Sequence, residues 1–164
     1  MAEGDAELQD LYRDVLIDYY RDRSRKGKLP TPDFHSHGVN PVCGDEVELT
    51  MSRQGDKIGQ IRYSGRGCVI SQASTAMMAE ALEGQSLPRA QDLIKAFRSM
   101  LLENVPVDKL PEELSEAAAL EGVRKFSVRV KCALLAWNTL KLGLDGGTKA
   151  NGRGETAEYQ ETER

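Results

Sequence analysis

Glu46-Val47-Glu48-Leu49-Thr50-Met51, then Arg53-Gln54-Gly55-Asp56, then Ile58-Gly59-Gln60-Ile61-Arg62-Tyr63 is the stretch on which the fold turns. Val47, Leu49 and Met51 alternate with Glu46, Glu48 and Thr50, the period of a strand with one buried and one wet face. The segment around Gly55 has the composition of a turn, and Ile58 to Tyr63 has the β-branched and aromatic content of a returning strand. The expectation is an antiparallel hairpin with helices on either side. Leu8, Leu11, Tyr12, Val15, Leu16 and Tyr19 mark one face of a helix that ends near Gly27, ahead of Pro30 and Pro32. Leu29 to Val42, which carries His35 and His37, reads as an irregular connection. Beyond Cys68 the sequence predicts a helix from about Ser71 to Leu82, closed by Gly84. A third helix follows from Pro88 to Leu102, and a short one from Pro111 to Leu120. The last buries Val130, Ala133, Leu134, Trp137 and Leu140. The expected fold class is α+β: a small antiparallel β-sheet packed against several α-helices. Residues 1–144 are expected to form one domain, and residues 145–164 a disordered tail, because Asn151 to Arg164 contains almost nothing apolar.

Composition narrows the function. Hydrophobic residues make up 40% and charged residues 29% of the 164, as in an ordinary globular chain that can bury a core without staples. Lys and Arg total 22 against 26 Asp and Glu, a net charge of −4, which argues against nucleic acid as the main partner. The densest basic run, Arg21 to Lys28, is interrupted by Asp22 and reads as a solvated helix end. No apolar stretch is long enough for a bilayer, and the acidic start lacks the basic-then-apolar pattern of a secretory signal. A cytoplasmic location with no membrane partner is the expectation. Three cysteines cannot form a complete disulfide framework, and in a reducing compartment spaced cysteines point to metal binding or catalysis. On composition alone, three buried inert thiols would be the plainer reading. Local context works against it.

If the hairpin turn centres near Gly55, antiparallel pairing joins residues whose numbers sum to roughly 110. Cys43 then lies opposite Gly67 and Asp45 opposite Gly65, so Cys43 and Cys68 meet at the open end of the hairpin. Gly44, Gly65 and Gly67 permit close backbone approach there. Cys68 immediately precedes one helix, and Cys132 lies in the first turns of another for which Ser127 is a candidate N-cap. Helix N-termini favour the thiolate, which is both metal ligand and nucleophile. Cys132 falls off the apolar stripe of its helix, and Arg129 precedes it on the same face, again favouring a thiolate. Three thiolates and a carboxylate suit tetrahedral Zn(II), and they suit iron in a cluster equally. The oxygen ligand hints at a site built to exchange ligands.

Asn40-Pro41-Val42-Cys43-Gly44-Asp45, Gly65-Arg66-Gly67-Cys68-Val69-Ile70-Ser71-Gln72-Ala73-Ser74 and Arg129-Val130-Lys131-Cys132-Ala133-Leu134-Leu135-Ala136-Trp137 together resemble the SufU family, a branch of the IscU/NifU-like iron–sulfur assembly proteins. The similarity covers roughly residues 8 to 142. Lys131 stands where scaffolds of the IscU type carry a histidine, and the helical segment from about Phe97 to Ala119 is an insertion relative to them. Both features are typical of SufU. The resemblance implies zinc held by Cys43, Asp45, Cys68 and Cys132, with an iron or iron–sulfur cluster as the alternative. It implies a sulfurtransferase that accepts persulfide sulfur on Cys43 from a SufS-type cysteine desulfurase and serves downstream iron–sulfur assembly proteins. The alternative is a scaffold on which clusters are built. Arg129 would stabilise the released thiolate or the new persulfide. His35 and His37, with four better ligands already present, are expected to be exposed loop residues.

Overall fold

The computed structural model describes residues 2–145 and 157–160. The hairpin forms from β2 (Asp45–Gln54) and β3 (Lys57–Arg66), closed by a turn in which Gly55 has φ +64°. Val47, Leu49 and Met51 of β2, with Ile58, Ile61 and Tyr63 of β3, are all buried, so the alternation read from the sequence is the inner face of the sheet. The register lies two residues from the expected one: Gly65 pairs with Val47 rather than with Asp45. The turn is centred between Gly55 and Asp56, and an irregularity between Met51 and Arg53 adds the remaining step. Asp45 thereby comes level with the segment that leads into Cys68.

Two parts of the sheet differ from expectation. Phe34–Asn40 is a strand, β1, antiparallel to β2, where an irregular connection was expected. Its inward positions are Phe34, Ser36, Gly38 and Asn40, so a real alternation of burial is carried by small and polar residues that no hydrophobicity pattern reveals. A short strand, β4 (Ala157–Gln160), pairs parallel with β1, within the segment expected to be a disordered tail; residues 146–156 and 161–164 lie outside the described residues. Backbone pairing along an open sheet edge needs little apolar content, which is why composition did not indicate it. The sheet order is β3-β2-β1-β4.

Among the described residues, four α-helices and a run of 3-10 turns pack against this sheet and one another. α1 (Ala2–Arg21) packs Tyr12, Val15, Leu16 and Tyr19 on the core. α2 (Val69–Leu82) ends where Gly84 takes φ +85°, and α3 (Leu87–Leu102) is capped by Ser86, whose side chain accepts from the Arg89 N–H. Between α3 and the last helix the expected short α-helix is replaced by 3-10 turns at Val107–Lys109, Glu112–Leu114 and Glu116–Lys125. Pro106 and Pro111 start the first two, and neither can be continued into from the preceding chain as regular helix. α4 (Ser127–Leu144) runs across β1 and is buried on nearly every side from Cys132 to Leu140. It can lie that close because of Gly38: a Cβ there would stand 2.0 Å from Thr139 Oγ1. Trp137, fully buried, stacks on Phe97 with ring centroids 4.0 Å apart and donates its N–H to Ser74 Oγ at 2.9 Å, tying α2, α3 and α4 together. Among the described residues no helix is long and apolar enough to cross a membrane.

Candidate metal centre

The loop from Pro41 to Gly44 joins β1 to β2 and carries the first candidate ligand. Asn40 holds the loop: its side-chain oxygen accepts from the Val42 N–H at 3.2 Å, and its carbonyl accepts from the Gly44 N–H at 2.9 Å. Gly44 has φ +73°, a conformation costly for any residue with a Cβ, and this bend turns Cys43 and Asp45 toward one centre. Cys43 is exposed, whereas Asp45, at the first position of β2, is only 2% exposed.

Asp45 is the hinge of the cluster. Its Oδ1 accepts from the Cys68 backbone N–H at 3.1 Å, and Oδ2 lies 3.9 Å from Cys68 Sγ. Cys43 Sγ lies 3.4 Å from Cys132 Sγ. Among the described residues, Cys43, Asp45 and Cys132 each place a ligand atom within 4.8 Å of the other two. Cys68 adjoins that triad through Asp45 and Cys132. The sulfur contacts are divided differently from the expected pairing of Cys43 with Cys68: Cys43 meets Cys132, and Cys68 meets Asp45 and Cys132. Gly67 makes room for this, since a Cβ there would stand 2.6 Å from Asp45 Oδ1 and 2.3 Å from Ser71 Oγ.

Cys68 and Cys132 sit in opposite electrostatic settings. Cys68 is the N-cap of α2, and its sulfur accepts from the Ser71 N–H at 3.5 Å. A hydrogen bond from Cys132, with this cap contact, pulls the Cys68 thiol down to about 5 against the opposing effects of burial and Asp45. Cys132 is pushed well above the ordinary thiol range, first by its hydrogen bond to Cys68 and then by burial. Ser71 is the site residue that the sequence reading missed. Its spacing of three from a residue opening a helix was a legible cap signal, but cysteine is not among the usual capping residues.

Two expectations for α4 are corrected. Phe126, not Ser127, occupies the N-cap and makes no side-chain cap bond, and Cys132 lies beyond the first turn, where the dipole has little effect. Cys132 is also buried, 1% exposed, because burial along the middle of α4 extends beyond the apolar stripe to the residues beside it. Arg129 is exposed, and the nearby Cys68 and Cys132 sulfurs raise its pKa. His35 and His37 are not loop residues: they stand half-buried on the outer face of β1, with Nε2 of each 2.7 Å from Oε1 of Glu48 and Glu46 respectively.

A buried carboxylate among three thiols, at the open end of a hairpin capped by two helices, defines a class of small α+β domain with a sulfur-rich candidate metal site. The family model described as the NifU-like N-terminal domain matches residues 11–133. Over 139 residues the chain is 37% identical to the zinc-dependent sulfurtransferase SufU of Bacillus subtilis (strain 168), covering 85% of this chain and 92% of that protein. Over 137 residues it is 39% identical to the iron–sulfur cluster assembly scaffold protein IscU of Streptococcus pyogenes serotype M1, covering 83% and 84%. A crystal structure from Fervidobacterium islandicum AW-1, described as a candidate SUF-system assembly scaffold (FiSufU), superposes with TM-score 0.72 at 33% identity, covering 80% of this chain and 94% of that one. The NifU-like N-terminal domain of Brucella abortus shares the fold at TM-score 0.75 and 23% identity, covering 83% and 93%. The chain belongs to the NifU-like N-terminal domain family, in the SufU and IscU group of iron–sulfur cluster assembly proteins.

Proposed function

We propose that this protein is a zinc-dependent sulfur acceptor, taking persulfide sulfur on Cys43 from a cysteine desulfurase of the SufS type. The observation that carries the reading is the unequal setting of the thiols: an exposed Cys43 on a loop, with its sulfur 3.4 Å from the buried Cys132 and both within reach of the buried Asp45 carboxylate. The donor set fits the metal, since sulfur and carboxylate oxygen both suit zinc. Cys43, Asp45, Cys68 and Cys132 would hold it. When bound, zinc acts as a Lewis acid that keeps its cysteine ligands as thiolates at neutral pH.

The chain's own residues supply the rest. The Cys43 thiolate attacks the outer sulfur of the donor's persulfide; a new S–S bond forms on Cys43, the donor's S–S bond breaks, and the donor's cysteine leaves as a thiolate. Asp45 contributes charge without competing as a nucleophile. Arg129, exposed beside the thiols, offsets the negative charge that arrives. Lys131, where a scaffold would carry histidine, supports the acceptor reading. The 39% identity to a protein named as an IscU scaffold supports the alternative of cluster assembly on the same residues. Metal analysis and the visible spectrum of anaerobically purified protein separate them: one zinc without colour supports the acceptor, and brown protein with iron and sulfide supports the scaffold.

The test of Cys43 is mass spectrometry after reaction with the desulfurase and free cysteine. Cys43→Ser is expected to carry no persulfide and to leave the desulfurase unstimulated, even where zinc is retained. Full transfer by a zinc-replete Cys43→Ser protein would move the acceptor role to Cys68 or Cys132.

A further inference from the structure

The basic run at the end of α1 does not behave as one solvated group. Arg25 Nε turns to Glu83 at 3.4 Å, and Lys28 Nζ turns to Glu48 at 2.7 Å. Arg21, Arg23 and Lys26 turn the other way. With Tyr20, Gly65, Arg66, Gly67 and Gln72 they line an open cleft of about 420 Å³ whose floor is the backbone leading into Cys68. Four cations and no carboxylate line it. Lys26 Nζ donates to the Gln72 side chain at 3.0 Å and lies 5.3 Å from the centre of the Tyr63 ring, neither of which neutralises it. Burial and the neighbouring Arg23 together push the Lys26 ammonium down, as expected where like charges are crowded. Arg66 is 81% exposed at its side chain and reaches Glu46 only at 3.5 Å. Asp22, the acid within the run, turns away and accepts from the Ser24 N–H at 2.9 Å. On a chain of net charge −4, this is a local reversal of sign beside the thiols.

Exposed apolar residues adjoin the site in sequence as well. Of the six exposed large hydrophobic residues among the described residues, four flank it: Val42 beside Cys43, Val69 beside Cys68, and Phe126 and Val128 beside Arg129. An apolar rim with a cationic cleft at one side is the anatomy of a docking surface, in which apolar contact supplies affinity and charge sets orientation and encounter rate.

We infer that the Arg21, Arg23, Lys26 and Arg66 cleft receives an acidic, carboxylate-bearing segment of the sulfur donor, holding the donor's persulfide over Cys43 while Val42, Val69, Phe126 and Val128 are covered. The inference rests on the proposed acceptor function and assigns the partner's chemistry at that site. A partner guided this way binds faster at low salt, and the advantage fades as ionic strength rises through about 0.1 M, where the Debye length is about 10 Å.

The test measures association of the full-length zinc-loaded protein with its cysteine desulfurase across a salt series. Arg21→Glu with Arg23→Glu is expected to slow association about tenfold at low salt and to flatten the salt dependence. Zinc content, melting temperature and persulfide loading from inorganic polysulfide should stay at their unmodified values. Lys95→Glu, a reversal on an exposed position of α3 away from the cleft, should change none of these. Unchanged association of the double variant, or an equal loss in Lys95→Glu, overturns the inference. So does displacement of the desulfurase by micromolar inorganic phosphate, which would make the cleft a small-anion site. A protein that loads sulfur from polysulfide but binds no desulfurase loses the docking inference and keeps its acceptor chemistry. One that binds in the expected salt-dependent way yet never carries sulfur keeps the docking inference and loses the acceptor function.

Discussion

Gly67→Ala places one methyl group at the junction of the candidate metal centre and α2. The new Cβ would stand 2.6 Å from Asp45 Oδ1 and 2.3 Å from Ser71 Oγ, both inside any tolerable contact. Ser71 can rotate its hydroxyl away at the loss of its 3.1 Å bond to the Cys68 carbonyl. Asp45 cannot move so easily, because it is 2% exposed and its Oδ1 is held by the Cys68 N–H at 3.1 Å. Overpacking of this kind costs roughly 1–3 kcal/mol, and a lost hydrogen bond to a charged group about 1.5–3 kcal/mol. Partial relaxation shares these costs, so about 3 kcal/mol is expected, or a melting temperature lower by about 6–12 °C in a domain of this size. Because Asp45 is displaced from the thiols, zinc affinity should fall as well, by about tenfold or more, as when a metal ligand loses its supporting partner. Differential scanning calorimetry of zinc-loaded and chelator-treated protein reads the first effect, and competition with a chromogenic chelator reads the second. Gly122→Ala, where an added Cβ meets nothing within 4 Å, is the matched control and should be close to neutral. If Gly67→Ala melts within a degree of the unmodified protein and keeps its zinc affinity, the close packing of Asp45 against the Cys68 loop does not organise the centre.

Asp45→Ala should weaken zinc binding while leaving the domain folded, and stripping the zinc with a chelator should lower the melting temperature, since binding to a site absent from the unfolded chain adds to folding free energy; calorimetry checks both. Gly38→Ala drives a Cβ to 2.0 Å from Thr139 Oγ1 and should cost about 1–3 kcal/mol by prying α4 from β1, with partial recovery in the double variant with Thr139→Ala. Burial raises the Tyr63 phenol to about 12, above its ordinary 10.0, so the folded state holds that proton more tightly than the unfolded chain. Its contribution is complete below pH 10 and is lost as pH rises from about 10 through about 12, which alkaline melts and tyrosinate absorbance will show, and Tyr63→Phe should flatten that part of the profile.

How much the sequence disclosed follows from how each element hides its core. β2 and β3 were legible because Val47, Leu49, Met51, Ile58, Ile61 and Tyr63 are apolar and all face inward. β1 was not, because its inward Ser36 and Gly38 are chosen for the close approach of α4 rather than for hydrophobicity. α4 misled in the opposite sense: with Val130, Ala133, Leu134, Trp137 and Leu140 buried, an apolar stripe was read correctly, but Cys132, Leu135 and Asn138 are buried too. The hairpin and its glycines foreshadowed the approach of Asp45 to Cys68, but the contact of Cys43 with Cys132 joins a loop to a helix distant in sequence, which strand pairing cannot indicate. The basic run at Arg21 to Lys28 shows the same limit. Its charges are evident in the sequence, but which of them are neutralised by Glu48 and Glu83 is decided by the tertiary fold.

The way the three sulfurs are anchored bears on which of them can serve as acceptor. Cys68 cannot swing out without leaving the Ser71 N–H at the start of α2 uncapped. Cys132 cannot leave without disturbing the buried middle of α4, where Ser74 Oγ donates to the carbonyl of the adjoining Ala133 and accepts from Trp137. Cys43 depends on neither. Its loop is held from behind by Asn40, through the Val42 and Gly44 N–H groups, so the Cys43 side chain can rotate while the backbone stays in place. Local freedom at a functional position has to come from residues whose displacement uncovers little buried surface. The proposed acceptor role therefore falls on Cys43 because moving it costs a rotamer, whereas moving Cys68 costs a helix cap and moving Cys132 disturbs buried packing.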